Sequence, residues 1–256
     1  MRSILLTIAY EGGAYAGWQV QPGQRTIQGE LEQALLRITG ETIRVIGSGR
    51  TDAGVHALGQ VAGFRTSSPM ESDVFQRALN AELPDDIAVV SAAEAVADFH
   101  PIRDSESKRY RYQIDDGPVR DVFARRYAWH CRHGLDEAAM AAGAVHLLGR
   151  HDFSSFETAG AERPDSIRTV SDISVIRGGN GASSRITIEV EADGFLYNMV
   201  RAIVGTLVEV GRGAQSPDWV RQVLEACDRS QAGPTAPPQG LFLLWVKYPD
   251  AIYANR

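Results

Sequence analysis

The chain has 256 residues and a formal net charge of −6, with 44% apolar and 23% charged residues, the composition of a soluble globular protein. No apolar run approaches the length of a membrane span, and the acidic total argues against a protein that coats nucleic acid through bulk positive charge. The two cysteines, Cys131 and Cys227, are too few for a disulfide scaffold and lack zinc-ligand spacing, so we expect a reducing, cytoplasmic location.

Strand and helix patterns alternate along the first hundred residues. Residues 3–10 predict a strand rather than a signal peptide, since the apolar run is short and no small-residue cleavage site follows it. Thr26 is positioned to cap a helix with one apolar stripe. The stripe consists of Ile27, Leu31, Leu35 and Ile38. Two strands, a helix and a strand are then predicted in "IRVIGSG", "QVAGFRT", "SDVFQRALNAEL" and "DIAVVSAAEA". The order β-α-β-β-α-β is ferredoxin-like.

The rest of the chain repeats this order with an extra helix and longer insertions. A strand, "KRYRYQI", precedes a helix that we expect to end with Gly149 in the C′ position. A hairpin then spans a Gly-Asn-Gly turn, a mostly apolar helix covers "YNMVRAIVGTLVEVG", and another helix starts with Ser216 as cap and Pro217 at its first position. The last strand is "LFLLWVKY". We therefore predict a pseudo-duplicated α+β fold with subdomains at residues 1–104 and 105–256.

Positive charge is carried almost entirely by arginine, which binds phosphates in bidentate fashion. Between Arg103 and Arg132, seven arginines and one lysine face five acids, a local excess of three positive charges. Two interpretations stay open. The segment is either a patch for an anionic partner or a solvated strand face whose charges form ion pairs.

The stretch "GSGRTDAGVHALGQV", residues 47–61, places Asp52 in a loop between two predicted strands. Its glycines, Gly47, Gly49 and Gly54, can adopt positive φ and allow a close approach of another backbone or a ligand. Loops held by rigid strands often carry chemistry. The alternative is a tight turn in which Asp52 bonds its own backbone.

Several familiar sites do not fit this loop. A Walker loop needs a lysine and a following helix, and the dinucleotide fingerprint needs a glycine where Asp52 stands. Asp52 and His56 supply only two metal ligands, and glycoside hydrolysis needs a second, similarly framed carboxylate. One isolated carboxylate remains.

The segment "GRTDAGVHA" resembles the signature of the tRNA pseudouridine synthase A family, whose catalytic aspartate lies in that motif. Further blocks agree in order over about residues 4–248. They are "YEGGAYAGWQVQ", "KRYRY", "HDFSSF", "FLYNMVRAIVG" and "GLFLLWVKY". The resemblance implies the pseudouridine synthase fold: two ferredoxin-like halves forming one extended antiparallel sheet, with helices on one side and a central RNA-binding cleft.

The resemblance also implies the activity. The family isomerises uridine to pseudouridine at positions 38–40 in the anticodon stem-loop of tRNA, acts as a homodimer and uses no cofactor. The C1′–N1 bond breaks and C5 of the detached uracil joins the same sugar carbon, so no redox partner is required. The resemblance assigns this step to Asp52, as a nucleophile or as a base that removes a sugar proton.

Two more residues are assigned a role in the reaction by the resemblance. A carboxylate that stays ionised away from water needs a cation, and the family position for it is Arg201. Arg201 lies beside an apolar helical stripe, where it either has a partner or extends along the stripe to solvent. Tyr110 is assigned to stacking on the target base, whereas Tyr112 belongs to the core.

Three more residues are assigned roles. We expect Arg50 to bind the RNA backbone or help evert the nucleotide. The resemblance implies that Leu241 lines the uracil pocket, with simple packing as the alternative, and we expect His56 to be structural rather than to contact RNA. The chain departs from the family pattern after "FH", where Pro101 and Ile102 precede Arg103, which puts an RNA backbone contact from this segment in doubt.

Two other function classes remain as alternatives. A non-catalytic RNA-binding module on ferredoxin-like halves would bind tRNA without turnover, although the aromatic pattern of such modules is absent. A nucleoside-bond hydrolase would release free uracil.

Overall fold

A computed structural model of the chain describes residues 1–158, 165–179 and 184–254. Its contacts divide the chain into two compact units, Met1–Lys108 with Phe242–Arg256 (the first unit) and Arg109–Leu241 (the second unit). The predicted subdomains 1–104 and 105–256 stay a prediction. Among the described residues, no helix has both the length and the apolar character needed to cross a bilayer.

The first unit contains β1, α1, β2, β3, α2 and β4 in the predicted order. Their bounds are Arg2–Tyr10, Ile27–Thr39, Ile46–Gly47, His56–Thr66, Ser72–Glu82 and Ile87–Ala95. Strand β10, Leu241–Lys247, enters this unit with Phe242. The sheet order is β4-β1-β3-β10, with β2 on β3. The β1–β3 and β1–β4 pairs are antiparallel, whereas β10 runs parallel to β3 and places Phe242 opposite His56.

Helix α1 forms as predicted. The Thr26 side chain accepts a hydrogen bond from the Gly29 backbone N–H at 3.3 Å, which caps the first turn. Leu31 and Leu35 are fully buried, and Gly40 ends the helix at φ +74°.

The strand predicted in "IRVIGSG" is shorter than expected. The strand consists of Ile46 and Gly47, which pair with β3, and the Ser48 N–H after it also donates to the Val61 carbonyl of β3 at 2.7 Å. Val45, the residue before them, has both backbone groups bonded to side chains of α1: its N–H donates to Glu32 Oε1 and its C=O accepts from Gln28 Nε2, each at 3.0 Å. Since these bonds replace the sheet ladder at Val45, β2 begins at Ile46, three residues after the start of the predicted strand.

The second unit contains a second sheet-and-helix set. Strand β5, Ser107–Asp115, continues into it at Arg109, and the other elements follow as β6, α3, β7, β8, β9, α4 and α5. Their bounds are Trp129–His130, Glu137–Ala144, Gly149–Asp152, Ile167–Gly178, Arg185–Ala192, Met199–Gly211 and Trp219–Ala226. The strand order is β5-β9-β8-β7, with β6 parallel to β5. The α+β class is confirmed, with parallel pairings at β3–β10 and β5–β6 within a mostly antiparallel arrangement.

Three boundary predictions in this unit are settled or corrected. Helix α3 ends at Ala144, and a 3-10 turn over Val145–Leu147 follows it, so Gly149 begins β7 at φ +100° instead of ending the helix. Helix α5 begins at Trp219, because Ser216 contributes its carbonyl to a turn rather than its hydroxyl to a cap. The predicted hairpin is present as antiparallel β8 and β9, but most of its turn lies outside the described residues.

Candidate active site

Asp52 lies in the short loop between β2 and β3 of the first unit. Its side chain is half-buried, Thr51 before it is buried and Arg50 is exposed. The Val55 N–H donates to the Asp52 carbonyl at 3.1 Å, and Gly54 adopts φ +81°. Asp52 therefore occupies the first position of a tight turn whose shape depends on a left-handed residue at Gly54.

Buried side chains fix the loop on its N-terminal side. Gln60, fully buried on β3, accepts from Ser48 Oγ at 2.7 Å and donates to the Gly49 carbonyl at 3.0 Å. Lys108 donates to the Ser48 carbonyl at 2.5 Å. Because an unpaired buried polar group is costly, this network favours one conformation of residues 48 and 49.

Thr51, the residue directly before Asp52, is held at two points. Its hydroxyl is 2.8 Å from the Tyr10 hydroxyl, and its carbonyl accepts from the Trp18 N–H at 3.0 Å. Tyr10 is 5% exposed, and burial raises its pKa to about 12. Tyr10 therefore stays neutral near pH 7 and remains able to donate or accept at Thr51.

Close backbone approaches also constrain the loop. A Cβ on Gly17, whose φ is +97°, would lie 2.7 Å from the Thr51 carbonyl oxygen, and one on Gly12 would lie 1.9 Å from the Val55 carbonyl oxygen. Both positions therefore require glycine. Of the three loop glycines singled out in the sequence, only Gly54 has positive φ; Gly47 instead allows contact with the Trp18 ring.

His56 is buried at the start of β3, with 2% exposure. Its Nδ1 accepts a hydrogen bond from the Gly12 N–H at 3.1 Å, and its ring stacks on Phe242 with centroids 4.7 Å apart. Since Nδ1 accepts this bond, it carries no proton. These contacts fit the structural role expected for His56.

Tyr110 and Tyr112 lie on β5 in the second unit, on the buried face that strand alternation predicts. Tyr110 is 8% exposed and meets Phe195 edge-on, with centroids 4.9 Å apart. Tyr112 is fully buried, and its hydroxyl donates to the Pro237 carbonyl at 2.6 Å. Burial raises the pKa of Tyr112 far above its usual range. Tyr112 is a core residue, as predicted.

Arg201 is half-buried on α4 of the second unit, and its guanidinium is aimed by two hydrogen bonds. Its Nε donates to the Ala236 carbonyl at 2.7 Å, and its Nη1 donates to Asn198 Oδ1 at 2.8 Å. Asn198 itself sits at φ +61° just before the helix. An arginine fixed by two acceptors does not simply extend along the stripe to solvent.

Close packing of α4 against residues 233–237 holds the Ala236 carbonyl, which accepts from Arg201, in place. A Cβ on Gly205 would lie 1.6 Å from the Pro234 carbonyl oxygen, and Thr206 Oγ1 accepts from the Gly233 N–H at 3.0 Å. The Ala236 N–H in turn donates to the Arg201 carbonyl at 3.0 Å. The helix and this segment thus form one rigid support for the Arg201 guanidinium.

The remaining predicted site residues are distributed as follows. Arg50 shares the Asp52 loop in the first unit, whereas Tyr110, Arg201 and Leu241 belong to the second unit, where Leu241 is 6% exposed at the start of β10. Arg103 pairs with Asp104 at 2.6 Å. Within the described residues, no group of three or more potential metal ligands is present.

Sequence inspection missed the residues that support the site. Gln60 interrupts an apolar strand, and that is its only signal in the sequence. Asn198 and Ala236 give none, because Asn198 acts through one side-chain oxygen and Ala236 through its backbone carbonyl.

A family model described as tRNA pseudouridine synthase matches residues 6–102 and 144–249. Curated relatives include tRNA pseudouridine synthase A of Brevibacillus brevis, 49% identical over 97% of this chain and 100% of the relative. Those of Pelobacter propionicus and Halalkalibacterium halodurans are each 48% identical, over 97% and 94% of this chain and 100% and 90% of theirs. The chain belongs to the tRNA pseudouridine synthase family.

Proposed function

We propose that this chain isomerises uridine to pseudouridine in the anticodon stem-loop of tRNA, at positions 38–40. The observation that carries the proposal is the Asp52 loop. The family signature "GRTDAGVHA" coincides with a turn whose preceding residues, Ser48, Gly49 and Thr51, are all held by hydrogen bonds to the buried side chains of Gln60 and Tyr10. Such support suits a carboxylate that must meet a reacting atom within a fraction of an ångström.

In this reaction the C1′–N1 bond breaks, the detached uracil turns, and C5 bonds to C1′. The C5 proton is lost to solvent and N1 gains a proton, so atoms and charge balance without an outside reactant. Asp52 acts at the base or the sugar as nucleophile, or removes a sugar proton. Both routes need an ionised carboxylate.

The other residues have supporting roles in the proposal. Arg201 supplies the positive charge that keeps the reacting carboxylate ionised, which agrees with its guanidinium being held by Ala236 and Asn198. Tyr110 presents an aromatic ring on which the uracil stacks while it turns. Arg50 binds the RNA backbone, and Leu241 contributes apolar surface to the uracil pocket. A homodimer in the cytoplasm completes the proposal.

One assay tests the activity against both alternatives. A tRNA transcript tritiated at uracil C5 is incubated with the protein, and label release is followed together with nucleoside composition. Release with pseudouridine appearing supports the proposal. Intact label with retained tRNA binding indicates a binding module, and free uracil indicates a hydrolase. Transcripts in which the uridines at positions 38–40 are replaced by cytidine test the site: they should release no label above background, and undiminished release would refute the anticodon assignment.

A further inference from the structure

A cavity of about 510 Å³ lies in the second unit, and none of the predicted reaction residues is among those that line it, although its lining residues Asp115 and Gln239 lie near Tyr110 and Leu241 in the sequence. The segment between β5 and β6 forms one wall and contributes Arg120, Arg125 and Arg126. Trp129, from β6, also lines it. We call this feature the Arg120 cavity. Its volume lies in the range of known ligand pockets.

The acids at this cavity are already used to hold the segment. Asp115 is 5% exposed and accepts from the Gly117 N–H at 3.1 Å. Asp121 accepts from the N–H groups of Phe123 and Ala124 and pairs with Arg185 at 2.6 Å. The Ala124 N–H is the largest of the causes that lower the pKa of Asp121. Both carboxylates therefore serve the fold rather than the cavity's arginines.

Arg120 and Arg125 differ from the strand arginines of the same unit. Both are exposed, and neither makes an ion pair or hydrogen bond with any residue that the structure describes. By contrast, Arg109 pairs with Asp172 at 2.7 Å and Arg111 with Glu189 at 2.7 Å. The two interpretations of the Arg103–Arg132 charge excess thus apply to different residues: the strand arginines Arg109 and Arg111 form ion pairs, whereas Arg120 and Arg125 form none with the described residues.

Exposed aromatic surface accompanies this charge. Phe123 is 90% exposed and Tyr127 is 40% exposed in the same segment. Proteins bind single-stranded nucleic acid with guanidinium groups and nearby aromatic rings, because the phosphates neutralise the positive charge and the bases stack on the rings. Val119 and Val122 of the same segment are also exposed, at 81% and 60%, so an interface between copies of the chain is the alternative that the test below must separate from tRNA binding.

We propose that the Arg120 cavity binds backbone phosphates of the tRNA substrate outside the reacting nucleotide, with Phe123 providing a stacking surface. This proposal rests on the proposed function. The cavity contributes to tRNA affinity and takes no part in the chemistry, so its loss changes KM and Kd and leaves kcat unaltered.

The test is the double variant Arg120→Ala/Arg125→Ala, measured for tRNA Kd over a range of salt and for kcat and KM. Each lost phosphate contact lowers the slope of log K against log salt by about 0.7–0.9. We expect Kd and KM to rise about tenfold or more at low salt, the slope to fall by about 1 to 2, and kcat to stay within about twofold. A matched control, Arg212→Ala/Arg221→Ala, removes two exposed arginines of the same unit that pair with Glu209 and Asp218. It should keep the wild-type values.

The variant Arg120→Lys/Arg125→Lys keeps the charge and should keep the salt slope, which guards against loss of folding in the alanine variant. Unchanged Kd and slope in the alanine variant would overturn the cavity proposal. Conversion of a dimer to monomers in sedimentation, with an unchanged salt slope, would overturn it in favour of an interface between copies. Failure of wild-type label release would overturn the isomerase assignment alone, because tRNA binding still tests the cavity.

Discussion

Gln60→Leu removes the buried amide that holds the loop before Asp52 without leaving a large cavity. The change leaves the hydroxyl of Ser48 and the carbonyl of Gly49 without their buried partner. Each unsatisfied buried group costs about 1–3 kcal/mol, so unfolding free energy should fall by about 2–5 kcal/mol. Since residues 48 and 49 precede Asp52 by only a few bonds, kcat should also fall, by at least about tenfold, while tRNA Kd stays within about threefold.

Gln28→Leu is the matched control. Gln28 is another buried glutamine of the first unit, 5% exposed, whose side chain bonds Val20, Glu32 and Val45 and forms no hydrogen bond with the described residues of the Asp52 loop. We expect it to lose comparable stability, about 2–5 kcal/mol in urea unfolding, with kcat near wild type.

The two variants together separate positioning from stability. Label release measured well below each variant's melting temperature gives kcat for folded protein. Equal kcat for Gln60→Leu and Gln28→Leu at equal loss of stability would refute the positioning role. Adding Ser48→Ala to Gln60→Leu removes the hydroxyl that has lost its Gln60 partner and should recover up to about 1 kcal/mol, less whatever its bond to the Tyr248 hydroxyl contributes.

Three further changes test other parts of the account. Arg201→Ala should lower kcat at least about a hundredfold and shift the acid limb of the pH–rate profile to higher pH, because the reacting carboxylate loses its cation. Arg201→Lys should restore part of the rate. An unshifted profile would show that Arg201 takes no part in the reaction. Gly40→Ala should lower the free energy of unfolding by about 1–2 kcal/mol, because Gly40 has positive φ. Gly17→Ala should lower it by more, because Gly17 has positive φ and also lies against a backbone carbonyl. Equal losses for the two variants would contradict the close approach at Gly17. Burial raises the pKa of Tyr10 to about 12 in the folded protein. The neutral side chain therefore contributes fully to the free energy of unfolding below pH 10. This contribution falls by about 1.4 kcal/mol per pH unit as the pH rises from 10 toward 12. Tyr10→Phe should therefore flatten the stability profile over pH 10–12, and parallel wild-type and variant profiles would show that Tyr10 ionises freely.

Local patterns predicted the elements whose stability is local or whose faces differ in polarity. The Thr26 cap and its apolar stripe predicted α1, and alternation along β5 predicted that Tyr112 is buried. In both cases the signal and the structure depend on the same few residues.

The errors arose where distant groups compete for backbone bonds. Nothing near Val45 signals that Glu32 and Gln28 take its N–H and C=O and shorten β2. The parallel pairing of β10 with β3 likewise depends on residues nearly two hundred positions apart along the chain, Phe242 and His56.

For the candidate site, the surrounding glycines drew attention to Asp52, but they are not the main reason why the loop has its conformation. Of Gly47, Gly49 and Gly54, only Gly54 has positive φ. The loop is fixed mainly by Gln60, Tyr10 and Trp18, whose positions depend on tertiary packing. The motif therefore located the carboxylate, whereas its support became visible only in three dimensions.

Asp52 is the one carboxylate that we propose performs the isomerisation. Single-turnover release of C5 tritium by Asp52→Asn tests this role most directly, with Asp73→Asn, a 65% exposed carboxylate of the same unit, as control. The account predicts a rate at least about a thousandfold below wild type for Asp52→Asn, tRNA Kd within about threefold, and a wild-type rate for Asp73→Asn. An Asp52→Asn rate within about tenfold of wild type would contradict it.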